Sequence, residues 1–120
     1  DPQPFHVDAP AASASPFGGL IASGFQTLSL CFRLYIQSGV FAQASLGSPG
    51  LDEVRWHLPV RPQDTLHCDI EVIEIRPSRS KTDRGLARLH LKAVNQHGDV
   101  AASFYLNHLL RRRPPKTLQA

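Results

Sequence analysis

The 120-residue sequence has no methionine, two cysteines and one tryptophan. Two cysteines are too few for a disulfide scaffold, which favours a reducing, cytoplasmic setting. The ten prolines and eight glycines are dispersed along the chain, which excludes collagen-like and linker-like classes. A net charge of +3 is modest and does not by itself call for an anionic partner.

The absence of methionine means that the numbered chain does not begin at a start codon. We therefore expect residues upstream of Asp1, including a strand that would precede it in the sheet. The first residues also have no targeting signature, because no charged segment leads into a short apolar run.

The composition is that of a globular domain, with 42% hydrophobic and 19% charged residues. A chain of this length can bury a core without disulfide or metal staples. The sequence predicts one domain over residues 1–113, followed by a basic, proline-containing tail over residues 114–120. The basic run at residues 111–113 has no interleaved aromatic residues and no recognised binding module, so we do not expect nucleic acid as a partner. No membrane partner is expected either.

One long helix is predicted from Leu20 to Ser38, with Gly39 ending it. Its apolar residues occupy most of the helix circumference, which predicts a helix buried on nearly all sides. The polar residues Gln26, Arg33 and Gln37 interrupt the run and exclude a membrane span.

Four later stretches alternate apolar and polar residues, as half-buried antiparallel strands do. They cover residues 53–60, 65–72, 87–93 and 100–107. The alternation changes parity at Ile73, which predicts a bulge. A long central helix wrapped by a curled antiparallel β-sheet is the α+β hot-dog fold, and this is the predicted architecture.

Two motifs lie before and at the start of the predicted helix. Residues 1–8 read DPQPFHVD, and residues 17–24 read FGGLIASG. They resemble the MaoC-like dehydratases, a family that includes the (R)-specific enoyl-CoA hydratases. The family pattern is D-x-N-P-x-H-x-D, followed by a glycine-rich helix entry that often ends in I-A-H-G. Residues 54–66 and 76–85 are similar to bacterial members as well.

The resemblance implies catalytic roles for Asp1, His6 and Gly24. Hydration of a 2-enoyl thioester needs a base that activates water and an acid that protonates the α-carbon. A carboxylate and an imidazole beside one water can do both. The backbone N–H of Gly24, at the helix start, would stabilise the negative charge that develops on the thioester oxygen.

Two positions depart from the family pattern. Gln3 stands where the family usually has asparagine, and Ser23 stands where many members have histidine. Ser23 is expected to cap the helix and to contribute one hydrogen bond on the substrate side, but it cannot act as an acid near neutral pH.

The resemblance also implies a CoA-binding loop and a partner. Arg79, Lys81 and Arg84 are candidates for the CoA phosphates, because guanidinium groups match phosphate oxygens. The reaction implied needs no metal and no redox cofactor. We also expect a homodimer, because a six-strand hot-dog sheet leaves an edge that pairing two sheets closes. In the family the acyl pocket is built at such an interface.

Reversible hydration of a trans-2-enoyl-CoA to a 3-hydroxyacyl-CoA is the function implied, and two alternatives stay open. The first is a hot-dog acyl-CoA thioesterase, which would need a carboxylate within the central helix, where residues 20–38 contain none. The second is a non-catalytic subunit that binds acyl-CoA.

Other residues of chemical interest have simpler interpretations. Cys31 and Cys68 fall on apolar faces and are expected to be inert buried thiols. Trp56 is expected in the core. His108 is expected at a polar position without ligand-like spacing.

Overall fold

The computed structural model describes residues 1–113, and the predicted tail over residues 114–120 lies outside them. The described chain has three helices and four strands. These are α1 Pro4–Val7, α2 Ala9–Ser13, α3 Gly24–Gln37, β1 Gly50–Trp56, β2 His67–Pro77, β3 Arg84–Val94 and β4 Val100–Arg111.

The four strands form one antiparallel sheet in the order β1-β4-β3-β2. The period-two alternation is confirmed most clearly on β3, where buried and half-buried side chains alternate along the strand. The predicted bulge is also confirmed, because the pairing of β2 with β3 shifts register between Val72 and Glu74. The sheet is open, and α3 lies on one of its faces.

The core lies between α3 and the two central strands. Cys31 and Tyr35 of α3 pack with alternate residues of β3 and β4, and all of them are almost completely removed from solvent. The β-strand contributions are Ala87, Leu89, Leu91, Ala93, Ala102, Phe104, Leu106 and Leu110. This contact positions the start of α3 over one end of the sheet.

The predicted start of the long helix is wrong by four residues, because α3 begins at Gly24 rather than Leu20. Residues 20–23 lie outside the helix, where tertiary hydrogen bonds hold Ile21 and Ala22. The backbone N–H of Ile21 donates to Phe5, and that of Ala22 donates to Val60. These bonds override the local helical preference of an apolar run.

The first strand also differs from its prediction. β1 begins at Gly50 and ends at Trp56, whereas the alternation predicted residues 53–60. Its pairing with β4 is interrupted between Asp52 and Arg55, where Glu53 has a φ of 50°. Trp56 is 49% exposed, so its expected place in the core is wrong.

The prediction that α3 is buried on nearly all sides is wrong for the single chain. Phe25 is 70% exposed, Ile36 is 47% exposed and Phe32 is 38% exposed. The open sheet covers only the opposite side of the helix. These three residues and Ser29 follow a 4-3-4 spacing and form one stripe along α3, which we call the exposed stripe.

His108 is also misplaced by the sequence interpretation, because it is only 3% exposed. Its Nδ1 lies 2.7 Å from the Tyr35 hydroxyl, and its Nε2 lies 2.8 Å from Ser45 Oγ. Burial lowers the pKa of His108 below its usual 6.5. The same burial raises the pKa of Tyr35 to about 12.

This burial predicts a pH-dependent stability. Below the usual histidine pKa the unfolded chain binds a proton that the folded chain does not, so stability falls as the pH drops below about 6.5. The contribution of one such group is at most about 1.4 kcal/mol per pH unit. Denaturant unfolding at a series of pH values should show a shallower acid slope for His108→Gln. His97→Gln, at an exposed turn, is the control and should keep the parent slope.

No helix within residues 1–113 is both long enough and apolar enough to cross a membrane.

Candidate active site

A cavity of about 470 Å³ opens at the start of α3. The N-terminal segment, the first residues of α3 and the end of β1 enclose it. Its lining includes Asp1, His6, Gly24, Phe25, Trp56 and His57. The three residues predicted to be catalytic therefore share one cavity.

Asp1 and His6 form the polar centre of this cavity. Asp1 Oδ2 lies 3.2 Å from His6 Nε2, and the two side chains are 23% and 9% exposed. The one-turn helix α1, begun by Pro4, turns the chain back so that both side chains face the same space. The edge of the Phe5 ring packs against the imidazole of His6, with 4.6 Å between the ring centroids.

A backbone carbonyl fixes the tautomer of His6. His6 Nδ1 lies 2.8 Å from the carbonyl oxygen of Ile21, which can only accept a hydrogen bond. Nδ1 therefore carries a proton, and Nε2 is the nitrogen that faces Asp1. The carboxylate and Nε2 can share one proton, which is the arrangement that an acid–base pair needs.

Two further side chains hold the Asp1 carboxylate. Ser23 Oγ donates to Asp1 Oδ2 over 2.7 Å, and Gln3 Nε2 donates to Asp1 Oδ1 over 2.9 Å. Both oxygens of the carboxylate are therefore fixed in direction. Ser23 was expected to cap α3 and to face the substrate, but its hydroxyl makes no capping hydrogen bond and turns to Asp1 instead.

The first N–H groups of α3 consequently have no side-chain cap. The N–H groups in the first turn of a helix have no intrahelical acceptor and carry partial positive charge. Gly24 is the first residue of α3 and lines the cavity. A Cβ atom at Gly24 would lie 2.4 Å from Trp56 Nε1, so only glycine allows the indole to pack here.

Sequence reasoning did not assign Trp56 and His57 to the site. The alternation of β1 placed Trp56 towards the core and gave no sign that the strand ends there. His57 Nε2 lies 2.8 Å from Ser103 Oγ of β4, a contact set by strand pairing. In the sequence, only the resemblance of residues 54–66 to bacterial MaoC-like proteins pointed to this part of the site.

The structure does not bring the predicted phosphate-binding residues to the cavity. Arg84 is paired with Arg111 on β4, whereas Trp56 is paired with Ala102 of the same strand. Ala102 and Arg111 are nine positions apart on β4, which corresponds to about 30 Å along the strand. The loop with Arg79 and Lys81 adjoins Arg84, so it lies beyond the far end of the sheet.

Within residues 1–113, no three His, Cys, Asp or Glu side chains cluster as metal ligands would.

Solved structures match the fold of this protein over almost the whole chain. The MaoC-like dehydratase from Rhodospirillum rubrum is 41% identical, with a TM-score of 0.86 over 95% of this chain and 77% of that one. A Mycobacterium tuberculosis protein with a double hot-dog fold is 22% identical, with a TM-score of 0.73 over 96% of this chain and 35% of that one. The protein is therefore a hot-dog domain, with a carboxylate–imidazole pair at the start of its long helix.

The sequence comparisons define its family. Residues 1–95 match the model of the MaoC like domain. The protein YdeM of Bacillus subtilis is 35% identical over 93% of this chain and 78% of its own length. The 3-hydroxyacyl-thioester dehydratase Z of Mycobacterium tuberculosis is 44% identical over 50% of this chain and 40% of its own length. The chain belongs to the MaoC-like dehydratase family.

Proposed function

We propose that this protein catalyses the reversible addition of water to a trans-2-enoyl-CoA, giving a 3-hydroxyacyl-CoA. The observation that carries the proposal is the 3.2 Å approach of Asp1 Oδ2 to His6 Nε2 in one cavity with the uncapped start of α3. Membership of a dehydratase family and the likeness to a 3-hydroxyacyl-thioester dehydratase support it.

The acid–base pair supplies both proton transfers of the reaction. Water beside Asp1 and His6 gives one proton to the pair as its oxygen bonds to the β-carbon. The pair returns one proton to the α-carbon, so it is restored after each turnover and the thioester bond stays intact. The Ile21 carbonyl keeps the proton of His6 Nδ1 out of this exchange, and Ser23 and Gln3 keep the carboxylate aligned.

The start of α3 provides the electrostatic part of catalysis. As water adds to the β-carbon, negative charge moves to the thioester oxygen. A backbone N–H donor that is already oriented stabilises this charge without reorganising. Gly24 would supply such an N–H, and a Cβ at this position would clash with Trp56. Its lack of a side chain therefore serves both packing and access.

An assay with crotonyl-CoA distinguishes this activity from the two alternatives. A hydratase removes the ultraviolet absorbance of the conjugated enoyl thioester without releasing a thiol. A thioesterase releases CoA thiol, which a chromogenic disulfide reports. A non-catalytic subunit binds the ligand and does neither. We expect loss of absorbance with no thiol release; thiol release at the same rate would refute the proposal. The absence of acid residues from α3 agrees with the expected result.

We propose that the protein is a homodimer paired through the exposed stripe of α3. Phe25, Ser29, Phe32 and Ile36 follow the 4-3-4 spacing of a helix seam, and the small Ser29 allows a close approach. Large apolar side chains aligned on one exposed face are typical of interfaces. A two-fold axis across such a seam pairs the helices antiparallel.

Phe32→Asp should therefore shift the protein from dimer to monomer at micromolar concentration, as measured by sedimentation velocity. The cause is a charge buried at the centre of the seam. Gln26→Asp, an exposed position beside the stripe, is the matched control and should stay dimeric. A parent protein that sediments as a monomer at this concentration would contradict the proposal.

Antiparallel pairing would bring the basic loop of one subunit to the cavity of the other. The segment after α3, at Val40 and Phe41, adjoins Arg76 and Gly85 at the basic end of the sheet. We therefore propose that Arg79, Lys81 and Arg84 meet the CoA phosphates in the partner's site.

Mixed dimers test this assignment. Arg79→Ala/Lys81→Ala should raise KM for crotonyl-CoA with little change in kcat, because it removes phosphate contacts only. The second protein is a heterodimer of this loop variant with an Asp1→Asn subunit. Its only intact acid–base pair belongs to the loop variant. If the loop acts across the interface, this pair faces the intact loop of the Asp1→Asn subunit. The KM of this heterodimer should return to the parent value at about half the parent kcat. A KM that stays raised would contradict the assignment.

A further inference from the structure

Two free thiols face each other across the contact between α3 and β2. Cys31 Sγ lies 3.5 Å from Cys68 Sγ, although the residues are 37 positions apart in the chain. Cys31 is in the middle of α3, and Cys68 is the second residue of β2, an edge strand of the sheet. Tertiary packing, rather than proximity in sequence, brings the two sulfur atoms together.

The two thiols differ in their access to solvent. Cys31 is completely buried in the core. Cys68 is only partly buried, so the expectation that both cysteines are buried holds for Cys31 alone. A reagent in solution can therefore reach one sulfur atom of the pair while the other is held behind it.

The hydrogen bond between the thiols also makes their pKa values differ. Cys31 donates to Cys68 Sγ, which lowers the pKa of Cys68 by stabilising its thiolate. The same hydrogen bond, together with burial, raises the pKa of Cys31. The more accessible sulfur is thus also the better nucleophile near neutral pH.

We propose that Cys31 and Cys68 are a reversible thiol–disulfide site, oxidised by small-molecule disulfides such as glutathione disulfide. A disulfide needs the sulfur atoms about 2.05 Å apart. The two sulfur atoms, now 3.5 Å apart, would have to approach by about 1.5 Å for the bond to form. This site is separate from Asp1 and His6 and does not depend on the proposed reaction.

The exchange balances in two steps. The Cys68 thiolate attacks glutathione disulfide, forming a mixed disulfide and releasing one glutathione thiolate. The sulfur of Cys31, after losing its proton, then attacks Cys68 Sγ and releases the second glutathione. Two protein thiols are oxidised to one disulfide, and one glutathione disulfide is reduced to two thiols. The product links α3 covalently to β2.

The test equilibrates the full chain in buffers of defined ratio of glutathione to glutathione disulfide. Free thiols are counted after denaturation, and intact mass identifies any adduct. We expect the parent to lose both thiols together, without retaining glutathione, and to recover them in dithiothreitol. The oxidised form should unfold at a temperature about 5–10 °C higher, because the crosslink restricts the unfolded chain.

Single variants separate the two steps. Cys31→Ala should stop at one glutathione bound to Cys68, whereas Cys68→Ser should leave Cys31 unmodified in the folded protein. Retention of both free thiols by the folded parent in oxidising buffer would overturn the proposal. Two bound glutathiones, or a disulfide between chains seen on a non-reducing gel, would overturn it as well.

Discussion

Asp1→Asn and His6→Ala should each lower the rate of hydration of crotonyl-CoA by about 100-fold or more, as the loss of a general acid or base does. Each change removes one partner of the 3.2 Å contact between Asp1 Oδ2 and His6 Nε2. Since the two groups act as one unit, the double variant should be little slower than either single variant. Steady-state kcat/KM for all three proteins measures both effects.

Asp8→Asn is the matched control for this pair. Asp8 belongs to the same motif but accepts a hydrogen bond from the backbone N–H of Ala11 at the start of α2. Its replacement by another good capping residue should leave kcat/KM within a few-fold of the parent. Near-normal turnover by His6→Ala would contradict the assigned chemistry, provided that the parent is active.

Gly24→Ala should produce the second large loss of activity, again about 100-fold. The added Cβ would lie 2.4 Å from Trp56 Nε1, so either the indole or the start of α3 must move. A displacement of about 1 Å in a catalytic donor can reduce the rate by roughly 100-fold. Crotonyl-CoA turnover measures the loss, and the near-ultraviolet circular dichroism of the single tryptophan reports the displaced ring.

A second change distinguishes this clash from a general weakening of the helix. Trp56→Ala combined with Gly24→Ala removes the obstructing ring and should recover part of the lost kcat. Gly19→Ala is the control, because a Cβ there would meet only Arg61 Nη1, at an ordinary 3.8 Å. If Gly24→Ala were as active as Gly19→Ala, the tight approach would have no catalytic consequence.

The sheet was predictable where one face of a strand is covered. On β3 the side chains alternate between buried and half-buried positions, so the period-two signal is strong. β1 was less predictable, because the irregular pairing near Glu53 and the exposed end at Trp56 leave no regular pattern. Leu20, Ile21 and Ala22 are apolar but lie outside the helix, since the N–H groups of Ile21 and Ala22 bond to distant parts of the chain.

The contact between Asp1 and His6 was predictable because the two residues lie within one short motif. Their contact depends on a single turn of chain, which the motif itself contains. Other parts of the site depend on contacts between segments far apart in sequence, so no local pattern indicates them. Examples are the place of Trp56 and His57 in the cavity and the hydrogen bond from Ser23 to Asp1. The distance of the basic loop from the cavity follows from strand register, which alternation alone does not provide.

The most direct test of the central claim is hydration of crotonyl-CoA in deuterium oxide, followed by NMR of the product. If Asp1 and His6 add water across the double bond, the parent should form 3-hydroxybutyryl-CoA with one deuterium at the α-carbon, and His6→Ala should form almost none. Unchanged crotonyl-CoA with the parent protein, or equal product with His6→Ala, would contradict the account.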